Sequence, residues 1–384
     1  MIRQTVATVS LDAIQDNLRA IRAMLARDTP GTDRRLTPEV PPSPPGVIAV
    51  VKANAYGHGA AAVGPALEAA GASMLACADI EEGVVLRQAG VSIPILVFGA
   101  LSVSDLDGIF EFTLTPTVST PAAARALERI ARRRELRLRC HLKIDTGMNR
   151  LGFRHDNLRR TLPEVLGSAH LEVEAVYTHL ATADLPESPF LDEQRHRFEV
   201  ALAALGAMGL RQPRRHLANS AALLRDARTW GDWVRPGLLL YGIVPPPLAA
   251  DLGLRPALSL TSRIVAVKGM RTGEGVGYGL VWRANGPRTI ATVPAGYADG
   301  VDTRMSGRAW VLVRGQRVPV VGAISMDMMT IDVTGLDVSP GDEVVIIGRQ
   351  GSAEITAREV AAEIGTIPWE VVCRLGARIE RRYL

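Results

Sequence analysis

Between Val47 and Gly242 the chain repeats one pattern, a short apolar run followed by a helical stretch. The runs are VIAVVK, SMLACA, PILVFG, TLTPTV, LRCHLKID, VEAVYTHL, RRHLAN and WVRPGLLLYG. The stretches between them include AAAVGPALEAAG, DIEEGVVLRQAG, PAAARALERIARRR and EQRHRFEVALAALGAMG. Strands buried on both faces read as continuous apolar runs rather than alternations. About eight of them, each followed by a helix, is the number that closes a (β/α) barrel. A doubly wound open sheet has a similar pattern, so the count favours a barrel without excluding the other. The preceding segment reads as a strand and then a helix, since Ile14, Leu18, Ile21 and Leu25 recur at spacings of three and four. Residues 28–46, DTPGTDRRLTPEVPPSPPG, read as an exposed loop.

After Tyr241 the pattern changes. A turn-rich connection, PPPLAADLGLRPA, leads to LTSRIVAVK, RTIATVP, RAWVLVRGQRVPVVGA, MMTIDV and DEVVIIG, separated by glycine-rich turns, with a short helix at TAREVAAEIG. These read as a mostly antiparallel β domain. At 384 residues the chain exceeds what one hydrophobic core usually fills. The expected fold is therefore α/β: a (β/α)8 TIM-type barrel domain over residues 1–254, then a mostly β C-terminal domain over 255–384.

Charge and cysteine usage narrow the function classes. The net charge of +4 is a near balance of 44 basic and 40 acidic residues. Its densest run, Arg132 to Arg134 with Arg137 and Arg139, carries no interleaved aromatics, so it reads as a solvated helix face and not as a nucleic-acid platform. Cys77, Cys140 and Cys373 lie far apart, with no CxxC pair, which predicts neither a metal site nor a disulfide framework. With no signal-like N-terminal segment and no apolar run of membrane-spanning length, the expectation is a soluble cytoplasmic protein.

Active sites of (β/α) barrels lie at the C-terminal ends of the strands. There this sequence places Lys52, Lys143 with Asp145, His179, Asn219 with Ser220, and Arg235. Each alone reads better as a solvated strand end; what raises the functional reading is that one barrel mouth would gather them. Lys52 could bind a phosphate or form a Schiff base with a carbonyl. GHGAAAVG lacks the GKT or GKS ending of a P-loop, and GEGVGYG at 273–279 sits among β segments, where a hairpin turn is the simpler reading. Asn219 and Ser220 open a helix with Ser220 at its cap, whose backbone N–H groups would bind an anion. An amine and an anion site on one rim suit pyridoxal phosphate (PLP).

The stretch AVVKANAYGHG resembles the PLP-binding segment of alanine racemases. The resemblance continues in family order through HLKIDTGMNRLG, YTHLATAD, ANSAA, VRPGLLLYG, GVGYG, PAGYADG and SMDMMTIDV. It implies a barrel followed by a β domain, working as a head-to-tail homodimer in which each site uses residues of both subunits. It also implies that Lys52 holds PLP as an internal aldimine and acts as one base, and that Tyr278 of the other subunit is the second. Without the resemblance, Tyr278 would read as a hairpin aromatic. Arg235 would face the pyridine nitrogen, and His179 would link it to Tyr278. Phosphate contacts would come from Tyr56, Ser220 and the backbone at Asn219, Gly237 and Leu238. Arg150 would bind the substrate carboxylate, with Met326 of the other subunit offering a backbone N–H. Lys143 matches a position carbamylated in some members. Asp184, Tyr297 and Arg304 match the substrate corridor. Ala323 and Ala377 depart from the family, standing where an arginine and a tyrosine are usual.

Two bases suit the implied reaction, interconversion of L-alanine and D-alanine that supplies peptidoglycan. A proton leaves one face of Cα and another arrives on the opposite face, so acid/base groups must flank a planar centre, each contributing ~10²–10⁴-fold. PLP supplies the electron sink. Arginine has only donors and would leave the pyridine nitrogen unprotonated. Two competing readings are a barrel-type PLP-dependent decarboxylase, separable by carbon dioxide release, and a noncatalytic PLP-binding protein, separable by inertness with PLP bound.

Overall fold

The structure is a computed structural model that describes residues 4–28, 44–99, 101 and 105–384. Most of the expected loop over 28–46 lies outside the described residues. The chain divides into two compact units. One comprises Ile14–Ala55 and Ala60–Arg255. The other gathers the described residues up to Ala13, Tyr56–Gly59 and Pro256–Leu384.

The first strand, β1 (Val6–Val9), belongs to the second unit. The first unit contains β2 (Gly46–Val50), β3 (Met74–Cys77), β4 (Ile95–Val97), β5 (Thr115–Val118), β6 (Leu138–Asp145), β7 (Phe153–Arg154), β8 (Leu171–Tyr177), β9 (Arg214–His216) and β10 (Trp233–Val234). Leaving aside β7, which pairs only with β6, eight parallel strands run in the order β10-β2-β3-β4-β5-β6-β8-β9. A parallel bridge between Asn219 and Arg235 brings the two ends together. Asp232 N donates to Arg215 O at 2.8 Å and Arg235 N to Ala218 O at 2.9 Å across the same seam. The result is the expected nearly closed eight-stranded parallel barrel. Its last strand stops at Val234 rather than running on to Gly242. Pro236 has no N–H to give a ladder, and Leu238–Tyr241 instead coil into a 3₁₀ turn.

The helices follow the sequence pattern closely: Leu11–Asp28, Ala60–Ala69, Ile80–Gln88, Pro121–Arg133 and Phe190–Ala207. Asp79 and Thr120 cap two of them by accepting the Glu82 and Ala123 N–H groups. Ile14, Leu18, Ile21 and Leu25 are all fully buried, each worth ~1.5–3 kcal/mol against exposure. Asn17 shares that face, and its side chain meets the Leu240 and Arg255 carbonyls and the Arg255 N–H, so the buried amide is satisfied.

In the second unit, β11 (Leu258–Arg263), β12 (Ala266–Met270), β13 (Gly275–Val276), β14 (Trp282–Arg283), β15 (Arg288–Val293), β16 (Trp310–Val313), β17 (Gln316–Val321), β18 (Met329–Asp332), β19 (Glu343–Gln350), β20 (Ala353–Ile355) and β21 (Glu380–Tyr383) follow in turn. The main sheet runs β12-β15-β18-β17-β16-β19-β11-β1-β21, antiparallel except where β1 meets β21. Tyr56–Gly59 pack into this unit at very short range. A Cβ on Gly57, whose φ is 81°, would lie 2.1 Å from the Val372 carbonyl oxygen. Among the described residues no helix is long and apolar enough to cross a membrane. No group of three or more His, Cys, Asp or Glu among them is placed to hold a metal ion.

Candidate active site

Lys52 follows the buried end of β2 and opens a turn with unusual handedness. Ala53, Asn54, Ala55 and Tyr56 have φ of 54°, 53°, 54° and 51°. Left-handed backbone costs an L-residue about 1–2 kcal/mol, so four in succession need outside support. Glu82, in the first turn of Ile80–Gln88, supplies part of it. Its Oε1 accepts from Ala53 N at 2.6 Å and from Asn54 N at 3.4 Å, while Oε2 accepts from Ala78 N at 2.8 Å. The Asn54 side chain accepts from Ala60 N at 2.8 Å, and the Tyr241 hydroxyl donates to Val50 O at 3.0 Å.

Five of the strand-end residues come together electrostatically. The His179 imidazole is held well below its ordinary pKa by burial and by Arg235, Lys143, Arg150 and Lys52. The Lys143 ammonium is pulled down to about 8 by burial, then by Arg150 and Arg235, with Asp145 opposing and Lys52 adding to the repulsion. Lys143 is 5% exposed and Arg235 4%. Such a concentration of cations at one mouth favours an anionic ligand. Asp145 shapes the turn that carries Arg150 by accepting from Gly147 N and Asn149 N, both at 3.0 Å.

Arg235 is fixed from three sides. It donates to His216 Nδ1 at 2.9 Å, to Thr178 O at 2.9 Å and to Leu217 O at 2.8 Å. His216 Nε2 lies 3.0 Å from His141 Nδ1. The Tyr177 ring stacks on His216 with centroids 4.6 Å apart, and both Arg235 and Lys143 sit over its face. Burial pulls Arg235 down to about 10 and pushes the Tyr177 phenol up to about 12.

At the seventh strand end the structure corrects one assignment. Asn219, not Ser220, caps the helix Ser220–Arg225, accepting from Ala222 N at 3.0 Å. Ser220 is the first helical residue, and its hydroxyl accepts from Gly237 N at 2.9 Å, tying Ser220 to the Gly237–Leu238 backbone. An Asn side chain reaches the N-cap geometry as readily as Ser, so the pair NS leaves the cap open by one residue. Asp184 is half-buried on a loop that Arg225 anchors through the carbonyls of Thr182, Leu185, Pro186 and Ser188.

In the second unit, β13 and β14 form a hairpin and Tyr278 sits at its turn, 78% exposed, with Val281 at 72%. Tyr297 and Met326 are also exposed and are joined by backbone bonds: Tyr297 N donates to Ser325 O, and Ala298 N to Met326 O. Arg378 spans the two segments, 3.1 Å from the buried Asp299 and 2.9 Å from Asp327. Arg304 is paired with Asp302 at 2.7 Å. Ala377 is exposed and Ala323 half-buried. The Tyr56 phenol is pushed far up by burial, with Cys373 adding to the shift.

Residues 34–245 match the family model for the alanine racemase N-terminal domain, and residues 257–383 that for the C-terminal domain. The chain belongs to the alanine racemase family. The alanine racemase of Symbiobacterium thermophilum is 42% identical over 100% of this chain and 97% of its own length. The crystal structure of alanine racemase from D-cycloserine-producing Streptomyces lavendulae has a TM-score of 0.92 at 34% identity, covering 100% of this chain and 98% of that one. An alanine racemase from Bartonella henselae with covalently bound pyridoxal phosphate has a TM-score of 0.85 at 27% identity, covering 99% of each chain.

Alanine racemase membership makes the chain an amino acid racemase, an isomerase of a PLP-dependent family. Within this alanine racemase family barrel, sequence reasoning passed over Glu82, His141, Tyr177, His216 and Gln194. Gln194 is buried and donates to His179 O and Thr146 Oγ1, both at 3.0 Å, while accepting from Ala181 N at 2.7 Å. Its signal was legible: an amide on the helical stripe of Leu191, Phe198, Ala201 and Leu205.

Proposed function

We propose that the chain interconverts L-alanine and D-alanine, using PLP held by Lys52 and a two-subunit site. The observation that carries this reading is the gathering of Lys143, Arg150, His179 and Arg235 around Lys52 at the barrel mouth. The residues fit PLP. Its anionic groups meet the demand of the cation cluster, Lys52 is an amine at a strand end, and the donor-only Arg235 suits an unprotonated ring nitrogen. Ser220, Tyr56 and the backbone at Asn219, Gly237 and Leu238 would hold the phosphate. Bound PLP supplies the electron sink that makes the substrate Cα–H acidic.

The rest falls to side chains of this chain. Lys52 exchanges a proton on one face of Cα. Tyr278 of a second copy, reaching in from an exposed hairpin turn, exchanges one on the other. His179, kept neutral by its surroundings, can accept a hydrogen bond and pass polarity from Arg235 to Tyr278. Arg150 orients the substrate carboxylate, and the Met326 backbone N–H of the second copy assists. Lys143, whose pKa is lowered towards neutrality, has a population of free amine able to take up carbon dioxide, and a carbamate there would hold Arg150 by charge. Asp184, with Tyr297 and Arg304 of the second copy, would line the approach. On this reading residues 1–254 serve the cofactor, and 255–384 serve the partner subunit's site in a head-to-tail homodimer. The free thiols support a reducing cytoplasm, and the product would feed peptidoglycan synthesis.

The test is formation of D-alanine from L-alanine by purified protein with PLP, beside Lys52→Ala and Tyr278→Ala. Both variants should be inactive alone, and mixing them after subunit exchange should restore about a quarter of the parent activity, because half the dimers then carry one intact site. Carbon dioxide release without D-alanine would overturn the reaction. No recovery on mixing would overturn the shared site.

A further inference from the structure

We propose that Glu82 is the positioning residue for Lys52: its carboxylate holds the left-handed turn that aims the lysine amine, without touching the reacting atoms. The inference rests on the reading of Lys52 as the PLP-binding amine. Its physical basis is that the turn and the carboxylate fit each other atom for atom. A left-handed turn directs successive N–H groups to the same side, a concave arrangement that suits an anion. Here Glu82 Oε1 occupies it, accepting from Ala53 N at 2.6 Å and from Asn54 N at 3.4 Å.

The second oxygen is committed elsewhere. Oε2 accepts from Ala78 N at 2.8 Å, immediately after β3, so one carboxylate ties the ends of two neighbouring barrel strands. Glu82 is itself fixed at its base, because its own N–H donates to the Asp79 cap at 2.9 Å. With both oxygens and the backbone engaged, the side chain acts as a rigid strut from a helix to the residue after Lys52. No other charged side chain is hydrogen-bonded to Ala53 N or Asn54 N among the described contacts. Ala53 and Asn54 are not glycines, and their preferred backbone is right-handed. Without the strut the peptide after Lys52 can relax towards that region, and the lysine side chain turns with it. A misplacement of about 1 Å costs roughly 10²-fold in rate.

Glu82→Gln is the discriminating variant. It preserves shape, but one acceptor becomes an NH₂ donor that must face either Ala53 N or Ala78 N. Glu82→Ala removes the strut, and Glu82→Asp is too short to reach both sides. Three readouts follow, with thermal melting as the control for folding. The first needs no cofactor: amide exchange in the PLP-free protein. Exchange at Ala53 and Asn54 should quicken about tenfold or more in Glu82→Ala, and in Glu82→Gln either there or at Ala78, whichever side the NH₂ group faces. The second is covalent attachment of added PLP to Lys52, trapped by borohydride and read by peptide mass, which should slow about tenfold or more. The third is steady-state kinetics: kcat for alanine should fall about 10- to 100-fold with KM changed less than about threefold, since Glu82 is assigned no substrate contact.

Folded Glu82→Gln and Glu82→Ala proteins with parent-like exchange and attachment would overturn the proposal. So would a loss of activity that merely tracks a lower melting temperature while the Ala53 and Asn54 amides stay protected in Glu82→Ala. Failure of the parent protein to attach PLP at Lys52 would instead remove the reading on which the proposal rests, and the exchange experiment separates these cases.

Discussion

Arg235 donates to Nδ1 of His216 at 2.9 Å, and that contact fixes the protons of two buried rings. A guanidinium has no lone pair to offer, so His216 Nδ1 must be bare and its proton must sit on Nε2. That proton points at His141 Nδ1, 3.0 Å away, which leaves the His141 proton on Nε2, facing Glu174 at 3.9 Å. Both rings are expected as neutral Nε2–H tautomers from pH 5 to 8, read by ¹⁵N chemical shifts. Replacing His216 with Phe removes the acceptor for a buried cation and should cost about 1–3 kcal/mol of stability with a fall in activity.

The same rings make the fold acid-sensitive. Burial and Arg235 hold His141 down to about 3, and depress His179 and His216 as well. Well above pH 6.5 these imidazoles are neutral in both the folded and the unfolded chain, and stability does not respond to them. Below pH 6.5 the unfolded chain takes up protons that the folded chain refuses, so stability falls as pH falls, by about 1.4 kcal/mol per pH unit for each ring. The His141 contribution should run from 6.5 down to about 3. Urea melts from pH 8 to 4 should show that slope, shallower in His141→Asn.

Lys143 gives a second pH signature. An amine pulled down to about 8 becomes a competent nucleophile for carbon dioxide as pH passes through that value. With ¹³C-bicarbonate, one carbamate resonance should strengthen between pH 7 and 9 and be missing in Lys143→Ala. The resonance surviving in that variant would locate the carbamate elsewhere.

Arg378 links the segment of Tyr297 to that of Met326 through Asp299 and Asp327. Asp299 is fully buried and also accepts from Gly296 N, while Arg378 is partly exposed, so Arg378→Ala should cost about 1 kcal/mol. Arg378→Lys, keeping the charge without the fork, should recover part of the stability but leave KM for alanine raised. Chemical denaturation beside kinetics separates the two effects.

Gly57→Ala tests the attachment of Tyr56–Gly59. The new Cβ would meet the Val372 carbonyl at 2.1 Å in a left-handed backbone, which should add at least about 1–2 kcal/mol of conformational cost and a clash that only backbone movement relieves. The melting temperature should drop, and PLP affinity with it.

The barrel was legible because burial on both faces writes each strand as an unbroken apolar run, and the stripe of Ile14, Leu18, Ile21 and Leu25 was legible because a helix repeats its contacts. The mouth residues at strand ends followed from the same regularity. Glu82, His216 and Gln194 were harder, since each acts on a residue distant in sequence and nothing local distinguishes a buried acceptor from a solvated one. The handedness of the turn after Lys52 was hidden as well: ANAY contains no glycine, and its conformation depends on contacts made from outside the stretch. Tyr278 was recognised by resemblance, and its exposure in a single chain is a property that spacing alone does not reveal.

The strand Val6–Val9 pairs with Leu258–Arg263 on one side and Glu380–Tyr383 on the other. During synthesis neither neighbour exists until some 250 residues beyond this strand have been made, roughly ten to fifty seconds at 5–20 residues per second. The barrel strands are all translated within that interval. An unpaired strand is an invitation to mispairing, and this segment has neither of its partners through that interval. Slow translation of the last third would lengthen the exposure, and the yield of folded protein should be sensitive to codon choice there.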